Sequence, residues 1–318
     1  MEYSVIVPLY NEEEVIEECY RRLSETMAGC GGTYELIFVN DGSRDRTMEL
    51  ARAIAAKDKC VKIISFSRNF GHQTAITAGM NLAAGAAVVV IDADLQDPPR
   101  VILDMIAKWK EGYEVVYGRR TKRKGETVFK KITAKLFYRT LNALTDVSIP
   151  VDTGDFRLLD RKAVEALKSL PERNRYVRGL VSWVGFRQTA VDYVRDERFA
   201  GETKYPLRKM LRFAADALTS FSYKPLKLSI FVGGLLSAAS FVYLLVVLYL
   251  ALFTEVTVAG WASLAAITLF FNGVVLIVLG IIGEYIGRIY DETKGRPLYI
   301  IGETAGFDSE KDKNNEKS

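Results

Sequence analysis

The chain has 318 residues, 49% hydrophobic and 26% charged, with a formal net charge of +4. These values exclude a disordered chain, a collagen-like repeat and a disulfide mini-protein, and at ~150 residues per domain they predict two domains. So small a positive excess does not point to nucleic acid. Two uncharged apolar runs, 228–253 and 256–283, each exceed the ~20 residues that cross a bilayer as a helix, and the first 225 residues hold no such run.

Residues 3–8, 34–40, 61–65, 87–92 and 114–117 are apolar and rich in β-branched and aromatic side chains, which predicts strands. Helices are predicted between them. The first starts near Asn11, with Glu12, Glu13 and Glu14 in a first turn where the helix dipole favours them. The others cover 45–56, 74–84 and 98–110, the last opened by Pro98 and Pro99. This alternation predicts the α/β class, a Rossmann-like, mostly parallel sheet that binds ligands at the C-terminal ends of its strands. Residues 119–152 read as a basic helix and loop. Residues 155–159 read as a short strand with Asp160 capping a helix to Leu170, and 187–194 as another strand. Residues 204–223, opened by Pro206, carry Leu207, Met210, Leu211, Ala214, Leu218 and Phe221 on one stripe and read as an amphipathic helix in a membrane interface.

The organisation expected is a catalytic domain over 1–200, an interface-helix region over 201–227, a two-helix transmembrane hairpin over 228–286 and a tail over 287–318, polar and disordered after Gly306. The turn between the spans carries Glu255 and no Lys or Arg. Arg208, Lys209, Arg212, Lys224 and Lys227 precede the hairpin, and Arg288, Lys294 and Arg296 follow it. The positive-inside rule therefore puts the catalytic domain and both termini in the cytoplasm, in a multi-pass protein of the inner membrane. The first residues lead directly into a strand, so no secretory leader is expected. Cys19, Cys30 and Cys60 show no CxxC spacing and are expected as free thiols. Gly233, Gly234, Gly273, Gly280 and Gly283 permit close packing of the spans and a homo-oligomer.

Chemistry-bearing residues follow three of the predicted strands: Pro8 to Glu12, Asn40-Asp41-Gly42-Ser43, and Asp92 to Asp97. Carboxylates two apart at a strand end suit a hard divalent cation, and Mg²⁺ completes its shell with substrate phosphates, here those of a nucleoside diphosphate. Neither GxGxxG nor GxxxxGK[ST] occurs, so metal and basic side chains are expected to meet the phosphate charge. His72, the only histidine, opens a helix after a tight 69–71 turn; a structural role is expected, with a donor-site role as the alternative.

Residues Val7 to Glu12, Asn40 to Ser43 and Asp92-Ala93-Asp94 together resemble the signature of family 2 glycosyltransferases of the GT-A fold. Ser67 to Gln73, Asp152 to Arg157 and Arg178 to Gly185 narrow the resemblance to bacterial polyprenyl-phosphate glycosyltransferases, the GtrB-like group, similar to dolichol-phosphate mannose synthase. It covers about residues 3–290 and is not specific for the sugar. It implies that Pro8, Tyr10, Glu12, Val39 and Asp41 line a nucleoside pocket, and that Asp92, Ala93 and Asp94 bracket a diphosphate. Asp94, with Gln96, would ligate Mg²⁺ or Mn²⁺. Asp155 would be the second catalytic residue, acting either as a base or by positioning the sugar. Arg198 and Lys204 would reach the phosphates of donor or acceptor; Arg119 and the Lys130, Lys131 and Lys135 face would meet the acceptor phosphate. Asn40 stands where many relatives carry an aspartate, which leaves the nucleotide role with Asp41.

The resemblance further implies inverting transfer of a sugar, glucose from UDP-glucose as first choice, to polyprenyl (undecaprenyl) phosphate at the cytoplasmic face of the bilayer. Displacement at the anomeric carbon by a phosphate oxygen needs little help from a base, because a phosphate monoester with a second pKa near 6 is already largely dianionic at about pH 7. Two other readings fit parts of the chain. A processive polysaccharide synthase would have more spans and a QxxRW-type motif, whereas Ser182 precedes Trp183 here. A non-catalytic nucleotide-sugar-binding membrane protein would not require the intact Asp92, Asp94 and Asp155.

Overall fold

The computed structural model describes residues 1–122, 153–173, 175–196 and 260–307, together with separate positions between Phe231 and Phe253. They form two compact units. One holds the residues up to Asp196 and the segment from Arg296; the other holds the apolar residues up to Gly295.

The first unit is built on an eight-stranded sheet in the order β7-β5-β6-β4-β1-β2-β3-β8. β1 (Tyr3–Leu9) is buried at every position, as is β4 (Ala87–Val90), and β2 (Tyr34–Asn40) at all but its first. Central strands covered on both faces carry unbroken apolar runs rather than alternation, which is what these sequences show. β1 pairs in parallel with β2 and β4, and β2 with β3 (Val61–Phe66). β6 (Thr153–Asp160) runs antiparallel between β4 and β5 (Val115–Lys122), and β5 pairs in parallel with β7 (Gln188–Val194).

The helices bury one stripe each. α1 (Ile16–Ala28) turns Ile16, Cys19, Leu23 and Met27 inward, at the spacing of one helical face. α2 (Thr47–Lys57) and α4 (Val101–Lys110) do the same with shorter stripes. α3 (His72–Leu82) is buried continuously from Ala75 to Met80. A Cβ at Gly79 would lie 2.4 Å from Ile6 Cγ2, so the glycine lets α3 rest directly on β1. α5 (Arg161–Lys168) is capped by Asp160, whose carboxylate accepts from Lys162 N at 2.9 Å, as the sequence predicts.

Several boundaries differ from the sequence reading. α1 starts at Ile16 rather than near Asn11, because Asn11 sits at φ 54° and the N–H groups of residues 11–13 bond the 43–47 loop. α4 starts at Val101, with Pro98 and Pro99 supplying only the carbonyls of its first turn. Residues 119–122 belong to β5 and not to a basic helix, since pairing with β6 and β7 outweighs local charge; the remainder of 123–152 lies outside the described residues. α6 (Val177–Trp183) and β8 (Ile301–Ala305) have no counterpart in the sequence reading. β8 lies inside the stretch read as a tail, and it adds antiparallel to β3.

In the second unit, α7 (Trp261–Thr293) is a single helix of 33 residues. The run read as 256–283 therefore starts later and continues through the charged residues Glu284, Arg288, Asp291 and Glu292, with Arg288 paired to Glu284 at 3.2 Å. Its stretch Phe270–Thr293 is long and apolar enough to cross a membrane, and none of the most apolar part is buried within the unit. It is the one such helix among the described residues. Every described position between Phe231 and Phe253 is helical. Residues 201–227 lie outside the described residues.

Candidate active site

Four chain segments meet at the C-terminal ends of β1, β2, β3 and β4. β4 stops at Val90, opposite Ile6, and Ile91 N closes the ladder on Ile6 O at 3.1 Å. Pro8, two residues on, faces the same neighbour, where the strand has already ended. Its missing N–H therefore costs no ladder bond, and a crevice opens between β1 and β4. The strand order reverses there, which is where open α/β sheets bind ligands.

The 92–97 turn lines this crevice. Asp92, Asp94 and Gln96 are partly exposed, whereas Ala93, Leu95 and Asp97 are buried. β6 runs antiparallel to β4, with Arg157 opposite Val90, so Asp155 lies just past the end of β4. α3 supplies His72 from the other side. Its Nε2 is 3.4 Å from Asp92 Oδ1 and 3.3 Å from Asp155 Oδ2.

Asp155 is held from three directions. Arg178 at the start of α6 donates from Nε to Oδ1 at 2.8 Å and from Nη2 to Oδ2 at 3.1 Å, and Gln73 Nε2 donates to Oδ2 at 3.1 Å. Gln73 Oε1 in turn accepts from Val177 N at 3.0 Å, which ties α6 to α3. Burial raises the Asp155 pKa, but the Arg178 guanidinium and His72 outweigh it and hold the carboxyl well below the usual carboxylate range. A carboxylate so stabilised is a weak base. Burial lowers the His72 pKa, yet Asp92 and Asp155 together push it up to about 9. Asp92 is pushed up to about 6, by burial first and despite His72. Its Oδ1 is sealed from solvent without an aligned hydrogen-bond donor.

A second polar group braces the same turn from below. Asp97 is fully buried; it accepts from Tyr193 Oη at 2.5 Å and lies 3.4 Å from both Arg120 Nη2 and Arg195 Nε. Gln96 O accepts from Asp196 N at 2.9 Å. The ends of β5 and β7 thus clamp the acidic turn.

The sequence-predicted residues separate clearly. Asp92, Asp94 and Asp155 come together at the crevice. Pro8, Val39 and Ala93 are buried around it, and Tyr10 is exposed at its edge. Glu12 contributes its backbone N–H to Thr47 Oγ1 at 2.8 Å. The Asp41 carboxylate accepts from Phe70 N at 2.6 Å, from Gly71 N at 2.9 Å and from Asn69 Nδ2 at 3.0 Å, so it holds the 69–71 turn. Asn40 is a structural residue, donating to Ser65 Oγ and accepting from Ser43 N. The Arg119 guanidinium forms a bidentate pair with Asp192, at 2.6 and 2.8 Å, on the exposed face of β5. The strand alternation turns Arg120 inward in its place. Lys130, Lys131, Lys135, Arg198 and Lys204 lie outside the described residues.

The partners of Asp155 are not legible in local sequence. His72 is no mere helix opener, since it joins two carboxylates. Arg178 carried a signal, standing in a motif quoted for the resemblance, but nothing in local sequence ties it to Asp155.

The donor set fits a divalent cation. Asp92 Oδ1 is a buried oxygen without a hydrogen-bond partner, and the Asp94 carboxylate, whose Oδ1 accepts from Gln96 N at 3.1 Å, stands two residues on. Among the described residues no group of three His, Cys, Asp or Glu side chains is arranged to hold a metal unaided. Substrate phosphates would complete the shell, as Mg²⁺ sites of this type require.

Residues 4–168 match the model for glycosyl transferase family 2. The chain is 62% identical over 311 residues to the uncharacterized glycosyltransferase YkcC of Bacillus subtilis (strain 168), covering 98% of this chain and 96% of that protein. It is 42% identical to the bactoprenol glucosyl transferase of Shigella phage SfV, and 40% identical to the prophage bactoprenol glucosyl transferase homolog of Escherichia coli (strain K12). Each of these alignments covers 95% of this chain and 98% of the relative. With its mostly parallel α/β sheet and this match over more than half its length, the chain belongs to glycosyltransferase family 2, in the polyprenyl-phosphate group that includes the bactoprenol glucosyl transferases.

Proposed function

We propose that the chain is an inverting, metal-dependent glycosyltransferase. It would move a sugar, glucose from UDP-glucose as first choice, to polyprenyl (undecaprenyl) phosphate at the cytoplasmic face of the membrane. The product would be a lipid-linked sugar for cell-envelope glycan modification. The observation that carries this reading is the cluster of Asp92, His72, Asp155 and Arg178 at the switch point of the sheet. Relatives named bactoprenol glucosyl transferase, similar over 95% of the chain, support the acceptor.

Each residue then has a physical task. Asp92, Asp94 and Gln96 would hold Mg²⁺ or Mn²⁺ beside the donor diphosphate. A bound cation would supply charge for the departing nucleoside diphosphate. The His72 imidazolium adds fixed positive charge at the same end of the sheet, preorganised by its two carboxylates. Asp155, pinned by Arg178 and Gln73, accepts a sugar hydroxyl and fixes the angle of attack; its depressed pKa favours this role over that of a base. The largely dianionic acceptor needs no base. Arg198, Lys204, Lys131 and Lys135 would meet the phosphates. Arg119, which pairs with Asp192 on the exposed face of β5, would leave that pair to join them. A hairpin over 228–286 would keep the site at the height of a lipid phosphate, and basic residues near an anionic leaflet add about 1 kcal/mol each.

Incubating membranes that contain the chain with labelled nucleotide sugars and polyprenyl phosphate tests the reading. Label should enter the lipid phase and stay in solution with Asp94→Asn. Soluble polymer, or no transfer from any donor, would overturn it.

A further inference from the structure

The chain segment after α7 returns to the catalytic unit and reaches the turn that positions His72. β8 pairs with β3 from Ile63↔Ala305 to Phe66↔Ile301, with a register shift between Ser65 and Phe66. Just past the strand end, Ser67 N donates to Ile300 O at 3.0 Å. Tyr299 then stacks on Phe66, with ring centroids 5.1 Å apart and planes at 18°, and Phe66 meets Phe70 edge-on at 5.7 Å. The Tyr299 hydroxyl accepts from Asn81 Nδ2 at 2.9 Å, on the last turn of α3. Arg52 on α2 fastens the segment with a bidentate pair to Glu303, at 3.0 and 2.5 Å, and Lys62 Nζ lies 5.0 Å above the Phe307 ring.

The turn between β3 and α3 is therefore gripped from two sides. From β2, the Asp41 carboxylate takes the N–H groups of Phe70 and Gly71. Gly42, at φ +65°, packs so tightly on Arg68 that a Cβ would lie 2.4 Å from its carbonyl carbon. From the far end of the sequence, Tyr299 spans both ends of the connection, Phe66 at the close of β3 and Asn81 at the close of α3. His72 is the first residue of α3 and places its Nε2 between two carboxylates at 3.3 and 3.4 Å. A small shift of α3 along its axis would break both contacts.

We infer that Tyr299, carried on the strap Leu298–Phe307, is a positioning residue for the site: it sets the 67–71 turn and α3, and through them the seat of His72. The inference rests on the proposed transfer reaction for its kinetic consequence, but not for its structural one. It also gives the residues beyond the apolar helix a task other than that of a tail.

Two variants of the full-length chain in lipid nanodiscs, Tyr299→Ala and Tyr299→Phe, test it. Amide hydrogen exchange in a peptide covering 66–73 reads the turn without substrate, and sugar transfer reads kcat and KM for the nucleotide sugar. Tyr299→Ala should speed exchange about tenfold. It should lower kcat about tenfold or more, with KM changed less than about threefold, because misplacing a group at the reacting centre costs rate rather than affinity. Tyr299→Phe keeps the stack and should stay within about threefold on both readouts. Unchanged exchange in Tyr299→Ala overturns the strap. Faster exchange with kcat unchanged, or a lowered Tm alone, overturns the positioning role. If the wild-type chain transfers no sugar at all, the proposed function fails, and the exchange arm still decides whether the strap holds the turn.

Discussion

Asp155 is the residue on which two chemical roles compete, and its surroundings separate them. A base must gain a proton in the working range, whereas a carboxylate held by Arg178, Gln73 and His72 keeps its charge far into acid. Asp155→Asn should therefore reduce transfer by about 100-fold at every pH without altering the shape of the pH–rate profile. Loss of a limb in that profile would restore the base. The same substitution strands Arg178 beside a neutral amide and should cost about 3–5 kcal/mol of stability, read by denaturant unfolding. His72 makes an opposite kind of prediction. Its folded pKa, about 9, lies above the ordinary 6.5, so the stability that its protonation contributes is lost as pH rises from 6.5 through 9. The Tm gap between the wild-type chain and His72→Gln should shrink across that window, and a constant gap would contradict the charged state. The acids of this site could be read from the sequence, since carboxylates after strands announce themselves. The partners of Asp155 could not, because β6 must run antiparallel to β4 before Asp155 and His72 can meet.

Strand β5 shows how an element decides the fate of adjacent residues. Arg119 and Arg120 look equivalent in a basic stretch, yet alternation sends them to opposite faces. Arg119 pairs with Asp192 in solvent, with both side chains about half exposed, and such pairs contribute little. Arg119→Ala should change stability by less than about 1 kcal/mol. Arg120 lies against fully buried Asp97, and Arg120→Ala should cost about 2–3 kcal/mol by leaving that carboxylate short of a partner. Denaturant unfolding of both variants separates these outcomes; equal effects would mean that the two side chains share a face. A helical reading of 119–122 errs because local charge pattern says nothing of distant strand partners: Thr153 and Asp192 lie opposite Arg119, Tyr193 opposite Arg120 and Val194 opposite Lys122. Helix starts erred for a related reason. The N–H groups of residues 11–13 were spent on Ser43, Thr47 and Asp45, a tertiary choice that the three glutamates did not reveal.

At the scale of the whole molecule, the soluble chemistry and the apolar segments must serve one reaction if the acceptor is a lipid. α7 holds the candidate span Phe270–Thr293, 24 residues, and at about 1.5 Å per residue the whole 33-residue helix exceeds a ~30 Å hydrocarbon core. Its charged end, from Glu284 onward, leads by sequence into Arg296 and the strap, which belongs to the unit bearing the site. Under the proposed topology the C-terminal end of α7 would emerge on the cytoplasmic face. In that topology the uncharged runs 228–253 and 256–283 would cross in opposite directions, with the turn between them outside. The proposed hairpin rests on these two uncharged runs and their basic flanks. In intact cells, a membrane-impermeant maleimide should label Thr254→Cys from outside. Ser318→Cys should react only after the membrane is opened, with the native chain and its three cysteines as the background. Labelling of both Thr254→Cys and Ser318→Cys only in opened cells would overturn the hairpin and remove the bilayer crossing from the proposed reaction.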